Sequence, residues 1–137
     1  MIAPYISEVE YQCPHCGQLP PDLSNYPDVF NELFSAFKTL RETWGKPIPI
    51  TSGYRCMDHE PSVSGLNCCP HTYGLALDLG IPSDGQTAFL DLIAKNCPDL
   101  RVGVNVKPGQ THIHIDVAYL IMPRPTVAYV KGMKWNE

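Results

Sequence analysis

One stretch constrains the fold more than any other: His112-Ile-His114-Ile-Asp116 alternates strictly between polar and apolar. On a β-strand successive side chains point to opposite faces, so both imidazoles and the carboxylate share one face while Ile113 and Ile115 face a core. A second stretch, Leu75-Ala-Leu-Asp-Leu79, repeats the alternation with Asp78 set among leucines. His71 stands just upstream. Two strands anchored in apolar packing make a rigid platform for a divalent metal, and His71, Asp78 and His114 supply three ligands. Two nitrogens and one oxygen suit zinc better than calcium or magnesium. A lone strand histidine is ordinarily a hydrogen-bonded structural residue, and a lone Asp78 could cap a turn. Histidines two apart on a strand, with a His-x6-Asp segment beside them, are harder to explain that way.

Three protein ligands leave a fourth position for water or substrate, the usual arrangement of a catalytic zinc. Zinc lowers the pKa of bound water towards neutrality and so makes hydroxide available to attack a carbonyl. His112, on the same strand face as His114, is expected to point into the same cleft, where it can stabilise an anionic intermediate or move protons. Arg55 ends a strand beside a long loop. A guanidinium there can clamp a carboxylate or polarise a carbonyl.

At 137 residues the chain is read as one domain spanning 1–137, large enough to bury a core without staples. A net charge of -4 argues against nucleic-acid binding, which calls for a basic footprint. No run approaches the ~18 apolar residues of a membrane span. The first residues lack the basic and apolar regions of a signal peptide, so synthesis in a cytoplasm, and a monomer, are expected. That leaves six cysteines to explain: Cys13, Cys16, Cys56, Cys68, Cys69 and Cys97. Cys13-Pro-His-Cys16-Gly has the form of half a zinc knuckle, whose other half must come from Cys56, Cys68 or Cys69. No second CxxC exists, so unligated or disulfide-paired cysteines are favoured over a structural zinc on Cys13 and Cys16.

Residues 1–26 read as an extended, turn-rich lead-in in which Pro14, Gly17, Pro20 and Pro21 break any regular element. A helix is predicted from Pro27 to Trp44, with Ser24 or Asn25 capping nearby and Gly45 ending it. Phe30, Leu33, Phe34, Phe37, Leu40 and Trp44 make its core stripe. A short strand follows from Pro47 to Tyr54, then a long loop over 56–70. Ser83-Asp-Gly-Gln86 has the form of a capping box opening a second helix to Asn96, with Phe89, Leu90, Leu92 and Ile93 inward. Leu100 to Val106 and His112 to Tyr119 are predicted as strands of a hairpin turned at 107–110, with a last strand from Thr126 to Lys131. The fold class is α+β: a small, mostly antiparallel sheet packed against about two helices. No separate binding domain is expected in this sequence.

The ordered run Ile50-Thr-Ser-Gly-Tyr-Arg55, His71-x-x-Gly74-x-Ala76-x-Asp78 and His112-x-His114-x-Asp116 resembles the zinc D-alanyl-D-alanine carboxypeptidase and hedgehog superfamily. It is most similar to the bacterial and phage branch that cuts peptidoglycan peptides, over about residues 27–117. The resemblance implies one catalytic zinc on His71, Asp78 and His114. It implies catalytic roles for His112 and Arg55, with Asp116 supporting the site beside them, and substrate contacts from Arg55, Ser52 and Tyr73. Two departures stand out. Where many members keep an acidic general base three or four residues before the last ligand, this chain has Thr111 and Gln110. Asp58, Glu60 and Asp116 are the remaining acids in reach of the motifs, and none matches. A serine common before the first ligand is replaced by Cys69. The resemblance implies a zinc peptidase with a peptidoglycan peptide as partner, in the setting of a phage or prophage endolysin that reaches the wall after release. The alternative is a zinc-stabilised binding or virion-structural module of the same fold that has lost hydrolysis.

Overall fold

A computed structural model describes residues 1–56, 70–104, 111–120 and 131–136. Five strands form one sheet: β1 (Ile50–Ser52), β2 (Ala76–Gly80), β3 (Arg101–Val104), β4 (His112–Asp116) and β5 (Lys134–Asn136), in the order β1-β2-β4-β3-β5. All neighbours run antiparallel except β3 and β5, which are parallel. Among the described residues three α-helices accompany the sheet: α1 (Glu8–Tyr11), α2 (Pro27–Trp44) and α3 (Gln86–Asn96).

Proline and glycine set the bounds of α2. Pro27 takes the first helical position, where its missing N–H costs nothing, and Gly45 ends the helix at φ 75°, a left-handed conformation natural to glycine. Tyr26 occupies the N-cap without a side-chain bond, so neither Ser24 nor Asn25 caps as expected. Phe30, Leu33, Phe34, Phe37 and Leu40 are buried along one stripe, and Trp44 packs edge-on against Phe89 of α3 at 5.1 Å between rings. Phe37 is fully buried, and truncating such a residue to alanine costs about 3–5 kcal/mol.

The alternation seen in the sequence divides the sheet into two chemically distinct faces. Leu77, Leu79, Val102, Ile113 and Ile115 are fully buried and join the same apolar cluster as the stripes of α2 and α3. Asp78, Arg101, His114 and Asp116 occupy the other face. Antiparallel partners share a face, and the register sets Ser52 opposite Asp78, Asp78 opposite His114, His114 opposite Gly103, and Gly103 beside Trp135. One row of the sheet therefore crosses all five strands through the site. The next row pairs Ala76, Asp116 and Arg101.

Several expectations need correction. The lead-in is not devoid of regular structure: α1 is closed by a capping box in which Ser7 Oγ accepts from the Glu10 amide at 3.2 Å. The box expected at Ser83–Gln86 does not form. Residues Ser83–Gly85 wind as a 3₁₀ turn, Gly85 becomes the N-cap of α3, and Gln86 Nε2 donates to Ile81 O instead. Within α3 Phe89 and Ile93 are fully buried, whereas Leu90 and Leu92 are half-buried at its margin. Strand β4 stops at Asp116, where the chain turns into a 3₁₀ segment at Ala118–Leu120, short of Tyr119. Lys131 lies in a turn and the last described strand is Lys134–Asn136. The rest of the predicted 126–131 strand, the 107–110 turn, Asp58, Glu60, Cys68 and Cys69 fall outside the described residues.

Candidate metal centre

Each member of the trio is delivered by a different piece of backbone. His71 sits on a 3₁₀ turn, Pro70–Tyr73, closed by Gly74. Gly74 N–H donates to His71 O at 3.1 Å, and its φ of 76° requires glycine. There is no room for a side chain either, since a Cβ would lie 2.4 Å from Pro20 and 2.7 Å from the Tyr11 hydroxyl. This accounts physically for the His-x-x-Gly spacing. Asp78 lies in β2 and His114 directly opposite in β4. All three are at least 94% buried, with relative exposures of 4%, 6% and 4%.

Their donor atoms converge. His71 Nε2 and His114 Nδ1 each lie 3.1 Å from Asp78 Oδ1. Bonds of about 2.0–2.1 Å to a tetrahedral zinc place neighbouring ligand atoms about 3.3 Å apart, so the trio has the right size. The remote atoms of the ligands are fixed as well. His71 Nδ1 is 2.6 Å from Gly53 O. A carbonyl only accepts, so Nδ1 carries a proton, which leaves Nε2 as the nitrogen that faces Asp78 and would ligate a metal. His114 Nε2 donates to Asp116 Oδ2 at 2.6 Å, while Asp116 Oδ1 accepts from Arg101 Nε at 2.8 Å and the Ala118 amide at 3.0 Å. Asp78 Oδ2 accepts from Arg55 Nη2 at 3.0 Å, and Arg55 Nε donates to Ser52 Oγ at 2.8 Å. Such outer partners orient metal ligands and select their tautomers.

The electrostatics call for positive charge at the meeting point. Burial by itself would raise the Asp78 pKa, but the charges and hydrogen bonds of His71 and His114 hold the carboxyl well below the usual carboxylate range. Burial likewise opposes a charged His114, yet its hydrogen bonds to Asp116 and Asp78, and their charges, push its pKa up to about 9. The polypeptide alone thus draws a proton onto a buried imidazole, and a divalent cation among the same three atoms answers the same field. The residues fit zinc.

The remaining site residues are distributed around this trio. Arg55 is buried and its guanidinium meets Asp78 and Ser52, so two residues expected at the substrate are seen supporting the ligand set. Asp116, expected to support the site beside the catalytic residues, is fully buried on the far side of the His114 ring from Asp78, a position for orienting that ring. His112 is half-buried two residues along β4, on the same face and opposite Gly80. Tyr73 is exposed at the end of the His71 turn. Cys13 and Cys16 meet Cys56 in a second cluster. Burial tends to raise the Cys13 pKa, but hydrogen bonds from the amides of Cys56, Cys16 and His15 bring it below its ordinary value.

Arg101 and Trp135 were not anticipated. Trp135 lies 5.3 Å from the His114 ring and 4.8 Å from the Arg101 guanidinium, between centroids. Gly103, which separates His114 from Trp135 in the pairing, has no side chain to hold them apart. The alternation Arg101-Val-Gly-Val104 was the available signal for Arg101. Trp135 had none, because a parallel edge strand of three residues leaves no periodic pattern.

A protein-family model described as Peptidase M15 matches residues 13–116, from the first cysteine to the end of β4. No curated protein matches the chain.

Proposed function

The chain belongs to the peptidase M15 family, and from that premise we propose that it hydrolyses peptide bonds of bacterial peptidoglycan with one zinc held by His71, Asp78 and His114. The observation that carries this reading is the convergence of His71 Nε2, Asp78 Oδ1 and His114 Nδ1, each with its remote atom already committed to Gly53, Arg55 or Asp116. Zinc bound there supplies a Lewis acid that polarises a carbonyl and acidifies water.

The chain's own residues do the rest. Arg101, held over Trp135, fixes Asp116, and Asp116 fixes the His114 ring, so no reorganisation is needed when substrate arrives. Arg55 keeps Asp78 in place and contributes positive charge beside the carbonyl being attacked. His112 is the candidate for moving a proton or stabilising the oxyanion on that face of β4. Terminal D-alanine release and cleavage within the stem or cross-link peptide are both compatible with this set. A lysis or wall-processing role, in a phage or its host, is the setting such a substrate implies.

A second reading keeps the zinc and drops hydrolysis, as a binding or virion-structural module. Its support is Thr111, exposed just before β4, where the superfamily resemblance leads one to expect an acid. Mass spectrometry of purified peptidoglycan after incubation with zinc-loaded and chelator-treated protein tests the two. New zinc-dependent fragments are expected, and their masses name the bond. Intact muropeptides with zinc at full occupancy would favour the module.

A further inference from the structure

We propose that Cys13, Cys16 and Cys56 hold a second, structural zinc that fastens the N-terminal arm to the segment delivering Arg55. The three sulfurs lie within 4.8 Å of one another. Zinc–sulfur bonds of about 2.3 Å at tetrahedral angles separate sulfurs by about 3.8 Å, so closure requires a shift of no more than about 1 Å. The local backbone is shaped for it. Gly17 N–H donates to Cys13 O at 2.7 Å, and Cys13 N–H donates to Gln18 O at 3.0 Å. Gly17, at φ 71°, takes the left-handed conformation that turns the chain back so that Gln18 O meets the Cys13 amide. Cys56 N–H donates to Cys13 Sγ at 3.3 Å, and amides aimed at sulfur stabilise the thiolate that a metal requires.

Among the described residues three thiols converge, and any one disulfide between them would leave the third sulfur packed against it, so a metal suits the cluster better. Each thiol gives up its proton to solvent as its Zn–S bond forms, and a fourth donor from the chain or from water completes the shell. Cys97 shows the contrast: it is half-buried, away from this cluster, with its Sγ 3.9 Å from Ala36 O. Location gives the site its purpose. Tyr54 N–H donates to Tyr11 O at 2.7 Å and Arg55 N–H to His71 O at 3.1 Å, and Cys56 follows directly. Zinc on Cys56 would tie the end of this segment to the arm, just beyond the residue that grips Asp78.

The test is zinc content of the full chain purified under reducing conditions, with two variants and cobalt substitution. Two zinc ions per chain are expected, falling to one in Cys16→Ser, an exposed position, and to one in His114→Ala. Cobalt-loaded His114→Ala should keep an intense near-ultraviolet sulfur-to-cobalt band, and Cys16→Ser should weaken it. The cobalt spectrum of the unaltered chain decides the matter even if a variant fails to fold. A single zinc that Cys16→Ser leaves in place, with no thiolate band, would overturn the proposal. Loss of the only zinc in Cys16→Ser but not in His114→Ala would uphold it while refuting the central site.

Discussion

The two clusters of metal-competent side chains are built in opposite ways. At the centre, two of three donors stand on paired strands in the middle of the sheet, and each has its far atom held by Gly53, Arg55 or Asp116. At the corner, three sulfurs sit on turns and a strand exit, ranging from buried Cys13 to exposed Cys16, and are arranged by backbone amides. The centre is fixed by tertiary structure before a metal arrives, as suits chemistry that needs a preset geometry. The corner likewise joins residues 43 apart in sequence, Cys13 and Cys56, but its fixation depends on what closes it. They share one element, the arm around Tyr11, which lies beneath both Gly53 and Gly74.

That difference breaks most sharply at His114. His114→Ala is expected to abolish zinc binding at the centre and hydrolysis with it, leaving the thiolate corner intact, as metal analysis and turnover assays would show. His112→Ala should keep that zinc and lose turnover. Gly74→Ala strikes the shared arm: the left-handed φ and the clash with Pro20 and Tyr11 should together cost about 2–5 kcal/mol, read as a lowered denaturation midpoint. Asp116→Asn touches only the centre, and the weakened support of His114 should reduce zinc affinity there about 10–100-fold in competition with a chelator. Ser7→Ala touches only the arm. Loss of the α1 cap should cost about 1 kcal/mol, with central zinc affinity unchanged.

What could be read from sequence followed how local each signal was. Pro27 and Gly45 bound α2 because both act within a residue or two of where they stand. The 112–116 alternation revealed β4 because a half-buried strand has a period that sequence displays. The Ser83–Gln86 motif misled because Gly85 ended up as the cap residue and residues 83–85 tightened into a 3₁₀ turn, a competition the motif does not encode. Ser7-Glu-Val-Glu10 carried a genuine capping box that the surrounding prolines obscured. The role of Arg101, as distinct from its place in a strand, was beyond reach for another reason. Its partner Asp116 is set by strand register, and its place behind His114 exists only once β3 lies against β4. The same holds for Arg55: its motif was legible, but its grip on Asp78 depends on how the strands meet.

The central claim is most directly tested by anomalous scattering at the zinc edge from crystals of the zinc-loaded protein. A peak about 2.0–2.2 Å from His71 Nε2, Asp78 Oδ1 and His114 Nδ1 is predicted. No peak at that position, with the two imidazoles still hydrogen-bonded to Asp78, would contradict it, whatever the cysteine corner holds.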